Sequence, residues 1–158
     1  MERELNNPKV RLADIREGSV AAQIHPLQRA AYAVEARRIG SGDFPPLRET
    51  LEALWLSTDF FLVFAGEGKI LGCLSYEPAA NCATITRLVV SPAHFRQGIA
   101  TALLRVLETR LPAGSEVFAT TAELNEPAIR AYEKQGYRKT PGPISPEGIA
   151  LCRMQKRL

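Results

Sequence analysis

Ile85-Thr86-Arg87-Leu88-Val89-Val90-Ser91-Pro92-Ala93-His94-Phe95-Arg96-Gln97-Gly98-Ile99-Ala100-Thr101-Ala102-Leu103-Leu104 reads as a strand, a turn and the start of a helix. The β-branched run from Cys82 to Val90 suits a strand, and Ser91-Pro92 stops it. The helix is expected from Gly98 to Leu111, with Ala100, Leu103, Leu104, Leu107 and Leu111 on one face. Arg105, Glu108 and Arg110 are expected to point away from that face. The first N–H groups of a helix lack intrahelical partners, and its dipole places about half a positive charge there. Gly98 and Ala100 carry little side chain, and Arg96 adds a full charge, so a pyrophosphate fits this tip. The alternative is that the two small residues only let the helix pack close to the strand. The segment matches neither G-x-x-x-x-G-K-[ST] nor G-x-G-x-x-G, so a Walker site and a dinucleotide fingerprint are both unsupported.

Outward from this segment the pattern extends in both directions. Val10 to Ile15 suits a first strand, and a helix is expected within Ser19 to Arg38, ended by Gly40. A loop through Pro45-Pro46 leads to a second helix with Leu47, Leu51, Leu54 and Trp55 at helical spacing. Phe60 to Phe64 and Ile70 to Tyr76 form a hairpin around Gly66-Glu67-Gly68-Lys69. Beyond the central helix, Glu116 to Thr121 alternates as a strand, and Asn125 to Gln135 is a helix capped by Asn125 and stopped by Gly136. Tyr137 to Lys139 and Gly148 to Met154 are weaker strands around a Pro/Gly-rich loop. The order β-α-α-β-β-β-α-β-α-β-β predicts an α/β (α+β) fold. Its single mixed, mostly antiparallel central sheet carries helices on both faces.

The 158 residues suit one domain, 1–158, with 46% hydrophobic and 23% charged residues as in a globular protein. A net charge of +3 is compatible with an anionic ligand and too weak to argue for nucleic acid. Cys73, Cys82 and Cys152 show neither a disulfide framework nor a zinc spacing, and read as reduced thiols. His25 and His94 stand alone, so no metal site is expected. Met1 to Asn7 lacks the apolar stretch of a signal peptide, and the apolar run Phe60 to Ala65 is far too short for a membrane span. A soluble, cytoplasmic protein is expected.

A second constellation follows the first: Asn125-Glu126-Pro127-Ala128-Ile129-Arg130-Ala131-Tyr132-Glu133-Lys134-Gln135-Gly136-Tyr137. Together the two resemble the GNAT superfamily of acyl-CoA-dependent N-acyltransferases. There the strand-turn-helix carries Q/R-x-x-G-x-G/A and the later helix reads N-x-x-A-x-x-x-Y-x-x-x-G-[FY]. Asn125, Ala128, Tyr132, Gly136 and Tyr137 are in register with the second pattern. Phe95 departs from the first position of the loop pattern, with Arg96 one residue later. The resemblance covers the chain from about Leu62 to its end. It implies acetyl-CoA as co-substrate, no metal, and transfer to a primary amine of a small molecule or peptide by direct attack in a ternary complex. It also implies that backbone groups across Leu88, Val89 and Val90 pair with the pantetheine arm. Amides of Arg96, Gln97, Gly98, Ile99, Ala100 and Thr101 would hold the pyrophosphate, Asn125 would touch the pantetheine or reacting region, and Tyr132 would approach the thioester sulfur. Asn125 also suits a plain N-cap, and Tyr132 also suits plain core.

Magnitudes say which help such a reaction needs. An amine of pKa about 10.4 is neutral in about one molecule in 2,500 at pH 7, a deficit of about 4.6 kcal/mol. A thiolate of pKa near 8.5 already leaves readily, so Tyr132 is expected to act through a hydrogen bond to the developing thiolate. The base stays open. Relatives of this kind place a glutamate near Thr84 or Thr86; Glu77, Glu123, a relayed water or a backbone carbonyl are the substitutes. Acceptor selection is expected from Tyr32 to Leu47, with Glu35, Asp43 and Glu49 as cation-attracting or merely surface carboxylates. The alternative from another class is a non-catalytic acyl-CoA-binding sensor or scaffold. The basic tail Arg153-Met154-Gln155-Lys156-Arg157 reads as a solvated strand end and not as an RNA site. A homodimer through an exposed edge or the C-terminal strands is compatible with the pattern.

Overall fold

Apolar alternation and two amphipathic helix stripes assemble one sheet with helices against it. The computed structural model describes residues 9–158, so the reading of Met1 to Asn7 lies outside the described residues. In chain order the elements are β1 (Val10–Ala13), α1 (Val20–Ile39), α2 (Leu51–Trp55), β2 (Phe60–Gly66), β3 (Lys69–Ala79) and β4 (Cys82–Val90). After them come α3 (Ile99–Thr109), β5 (Glu116–Ala122), α4 (Glu126–Lys134), β6 (Arg138–Ile144) and β7 (Ala150–Arg157). The sheet order is β1-β2-β3-β4-β5-β7-β6, and β4–β5 is its parallel pair among antiparallel neighbours. This is the element order and sheet type the sequence predicts.

Two apolar clusters hold the layers. Ile24 and Leu27 of α1 and Leu54 of α2 pack with Phe61, Val63, Cys73 and Val89 on one sheet face. Ile99, Leu103, Leu104 and Leu107 of α3 join Ile129 and Tyr132 of α4 over Leu62, Leu74, Ile85, Val117 and Met154. A Cβ on Gly72 would lie 2.6 Å from Ile99 Cγ2 and 3.3 Å from the Val89 carbonyl oxygen. The absent side chain is what lets the first turn of α3 rest on β3. Gly72→Ala therefore overpacks this contact, and urea unfolding is expected to show a loss of about 1–3 kcal/mol.

Three local readings need correction. The expected second helix is broken: Pro45–Arg48 is a 3₁₀ turn, and α2 begins only after Thr50, whose hydroxyl caps the Ala53 N–H at 3.0 Å. The Pro/Gly-rich loop before β7 is partly strand: β6 runs on to Ile144 and leaves 145–149, Gly148 included, as the turn, because β6 lies at the sheet edge, where prolines 141 and 143 forfeit no ladder inside the sheet. Glu108 does not point away. Its carboxylate receives Lys156 Nζ at 2.7 and 3.1 Å, Gln135 Nε2 at 3.2 Å and the Tyr137 hydroxyl at 3.4 Å. Lys156, read as part of a solvated strand end, thus pins β7 to the ends of α3 and α4.

Candidate active site

The site begins with a defect in the sheet. Arg87 pairs with Ser75 while Ile85 pairs with Tyr76, so Thr86 is an extra residue in β4. Such a bulge bends and twists its strand. The parallel pairing of β4 with β5 stops at Ile85↔Ala119, yet β4 stays paired to β3 as far as Val90↔Gly72. β5 continues with β7 to Ala122↔Leu151. A wedge opens between them, and no described strand pairs with the β5-facing edge of Leu88, Val89 and Val90. Extended ligands bind such edges through backbone hydrogen bonds.

The helix tip closes one end of the wedge. Gly98 is the N-cap of α3 at φ 77°, with no side-chain cap, and the first bond of the helix runs from Ala102 N to the Gly98 carbonyl at 3.0 Å. The amides of Ile99, Ala100 and Thr101 precede that bond and lack backbone partners among the described residues. A Cβ on Gly98 would meet nothing within 4 Å, so close packing is not why a glycine stands there. Left-handed backbone and open space above the amides are. Arg96 also has left-handed backbone, at φ 63°, and its exposed side chain forms no ion pair among the described residues. Phe95 and Gln97 are exposed beside it.

Tyr132 lies on α4, in the core cluster that also holds Ile85 and Ile99. Its ring is buried in an edge-on contact with Tyr137 at 5.4 Å. Its hydroxyl has no protein hydrogen-bond partner among the described residues. Burial, and secondarily the nearby Tyr32 and Glu35, push the phenol well above its ordinary range. The shift favours the protonated hydroxyl, which can donate a hydrogen bond. Asn125 caps α4 by accepting the Ala128 N–H at 3.4 Å.

Beneath α1 lies a charged group that sequence reasoning missed. Arg87 pairs with Glu49, and its Nη1 reaches Asp59 at 3.2 Å and Ser75 Oγ at 3.1 Å. The Ser75 and Thr86 hydroxyls are 2.7 Å apart, and the Thr86 hydroxyl donates to Asp59 at 2.7 Å. Gln28 Nε2 adds a bond to Glu49 at 2.8 Å, while its buried Oε1 finds no partner. Burial opposes ionisation of Glu49, but bonds from Arg87 and Gln28 and the Arg87 charge hold its carboxyl below the usual range. The signal was present: Arg87 stands two residues before Val89, in the inward phase of a strand. Only the bulge decides that the exposed Thr86 turns its hydroxyl toward Ser75 and Asp59, beside Arg87.

The other carboxylates with sequence-level roles are mostly occupied. Asp43 pairs with Arg48, Glu123 with Lys139, and Glu77 is exposed opposite Thr84, short of the wedge. Among the described residues, no cluster of His, Cys, Asp or Glu is arranged to hold a metal, and no helix is long and apolar enough to cross a membrane.

Comparison with known proteins bears on this geometry. The model of the acetyltransferase (GNAT) family matches residues 23–137. The UPF0157 protein YqkA of Bacillus subtilis is 33% identical over 136 residues, covering 86% of this chain and 40% of its own length. The chain thus spans less than half of that relative. An acetyltransferase from Thermus thermophilus superposes with a TM-score of 0.72 at 19% identity, covering 95% of this chain and 97% of its own. The PaiA N-acetyltransferase of Thermoplasma acidophilum, in complex with coenzyme A, gives 0.71 at 17% identity over 94% and 98% of the two chains.

Proposed function

The chain belongs to the GNAT acetyltransferase family, and from that premise we propose that it moves the acetyl group of acetyl-CoA onto a primary amine of a small molecule or peptide. The carrying observation is the wedge where β4 leaves β5 at Ile85, lying beside an α3 tip with uncapped amides. The unpaired edge of Leu88 to Val90 suits the amide-bearing pantetheine arm. The amides from Arg96 to Thr101, with the Arg96 guanidinium, suit the pyrophosphate. Bound there, acetyl-CoA supplies an activated acyl group. The domain 1–158 works in the cytoplasm, with both substrates bound together.

Tyr132 is the catalytic residue of this proposal. The amine lone pair attacks the carbonyl carbon, the C–N bond forms and the C–S bond breaks. The Tyr132 hydroxyl donates a hydrogen bond to the sulfur as charge develops there. Its raised pKa makes full proton transfer uphill until the C–S bond is nearly broken, so stabilisation precedes protonation.

Gly98→Val tests the tip. A β-branched residue at φ 77° is strained, at about 1–3 kcal/mol, and shifts the amides. Calorimetric titration is expected to show coenzyme A affinity at least tenfold weaker, with a modest fall in melting temperature. Free-thiol release over polyamines, amino acids, aminoglycosides and lysine peptides tests the activity itself. Turnover on any of them supports transfer. Coenzyme A binding with no thiol release on all of them favours a non-catalytic sensor, a reading that draws on Thr86 and Arg87 occupying the bulge in place of a carboxylate.

A further inference from the structure

α1 packs on β3 and β4, and the apolar cluster beneath it draws its strand residues from β1 to β4. The same side of β5, β7 and β6 lies outside that cluster. Strand phase says which side chains stand there. Val117, Ala119, Cys152 and Met154 belong to the cluster under α3 and α4, so the alternate residues Phe118, Thr120, Arg153 and Gln155 face the other way. The register sets Arg153 between Thr120 of β5 and Thr140 of β6, and Gln155 between Phe118 and Arg138.

This face adjoins the wedge. The last β4–β5 pair is Ile85 with Ala119, so Thr120 is the first residue of β5 beyond it, on the row of Arg153. Adjacent strands lie about 4.8 Å apart, which puts the Arg153 backbone one strand from the opening. Its guanidinium carbon lies 6.0 Å from the centre of the Phe118 ring, so the side chain leans from β7 back over β5 and away from the sheet edge. Arg153 is exposed and forms no ion pair among the described residues, and the same holds for Arg138 on β6. Glu116, the acid of β5 on this side, is already matched by Arg157 at 3.4 Å. At the end of the face, Arg48 reaches Glu147 at 3.6 Å, so the segment between α1 and α2 meets the β6–β7 turn there.

We propose that Arg153 holds a carboxylate of the acceptor, so that the amine this chain acetylates belongs to an amino acid or a short peptide and not to a polyamine. The inference rests on the acetyl-transfer reading above and gives its acceptor a class. A guanidinium over an aromatic face keeps its edge N–H donors free, and its planar fork matches the two oxygens of a carboxylate. The Thr120 and Thr140 hydroxyls on the same row are neutral donors, so the row carries one positive charge, which a monoanion balances. Arg138, two strands from β5, adds to the field that draws an anion in and turns a polycation away. Arg153 stays protonated throughout and no bond to the carboxylate forms or breaks. Its work is to orient the acceptor so that the nitrogen points into the wedge.

Thiol release by the full chain on matched acceptors tests this: amino acids against their amides, lysine peptides with a free against an amidated C-terminus, and spermidine as an amine without a carboxylate. The wild type is expected to favour the carboxylate member of each pair by about tenfold or more in kcat/KM. Arg153→Gln should erase that preference through a raised KM for the acid, while coenzyme A affinity holds. Arg153→Lys should keep only part of it, because the charge stays and the fork is lost. If Arg153 merely covers Phe118, the glutamine variant melts lower and the acid-to-amide ratio is unchanged, which would overturn the proposal. Equal rates on both members in the wild type, turnover on spermidine with none on the acids, or a preference for phosphoethanolamine over β-alanine would also overturn the carboxylate assignment, with acetyl transfer left standing. Thiol release on no acceptor by protein that binds coenzyme A would overturn the transfer reading, and this inference with it.

Discussion

Tyr132→Phe is expected to lower kcat by about 10- to 1,000-fold while acetyl-CoA affinity barely changes. The substitution keeps the ring, so the edge contact with Tyr137 and the burial under α4 remain. It removes a hydroxyl with no protein partner among the described residues, so the fold should lose little. The only interaction lost is then one made as negative charge gathers on the sulfur. A hydrogen bond to an ionising group counts for more than a neutral one, and the water-poor setting that raises the Tyr132 pKa also strengthens that bond. Steady-state kinetics with a thiol readout, together with calorimetry, separate the outcomes. A variant with wild-type kcat would make Tyr132 packing only.

Arg87→Met is the largest expected effect on folding. The arginine side chain is 11% exposed and its partners Glu49 and Asp59 are 24% and 16% exposed. Methionine fills much of the volume but leaves two partly buried carboxylates without their cation. Breaking such a pair by removing one partner typically costs about 3–5 kcal/mol, well above the net worth of the pair. Chemical denaturation should show a loss of that order. The triple variant Arg87→Met, Glu49→Gln, Asp59→Asn should recover much of it, because the uncompensated charges are gone. Acid gives an independent check. The folded-state pKa of Glu49 is lowered, so its stabilisation is present above the unfolded carboxylate value and is lost as pH falls through the folded one. Wild-type stability should therefore decline on acidification more steeply than that of the triple variant.

Much of the fold was legible because its longest signals are periodic. The apolar stripe of α3, the cap and stop of α4 and the hairpin from Phe60 to Tyr76 each follow from local chemistry, and each is present. The elements that differed obey longer-range conditions. Whether Pro141 and Pro143 end a strand depends on whether that strand has one neighbour or two, which no local window contains. Glu108 reads as a surface residue by helix phase alone, and the salt bridge that buries it comes from Lys156, 48 residues later. The candidate site divides the same way. Gly98 and the tip amides follow from sequence, since a helix start announces itself. The Thr86 bulge and the Arg87 group arise from strand register and from contacts between elements distant in sequence.

Titrating the ¹⁵N-labelled chain with coenzyme A tests the central claim most directly. The amide resonances of Gln97 to Thr101 should shift most, together with those of Leu88 to Val90, and 3′-phosphate removal should leave the tip response in place. Resonances there that stay unmoved at millimolar coenzyme A would contradict the account.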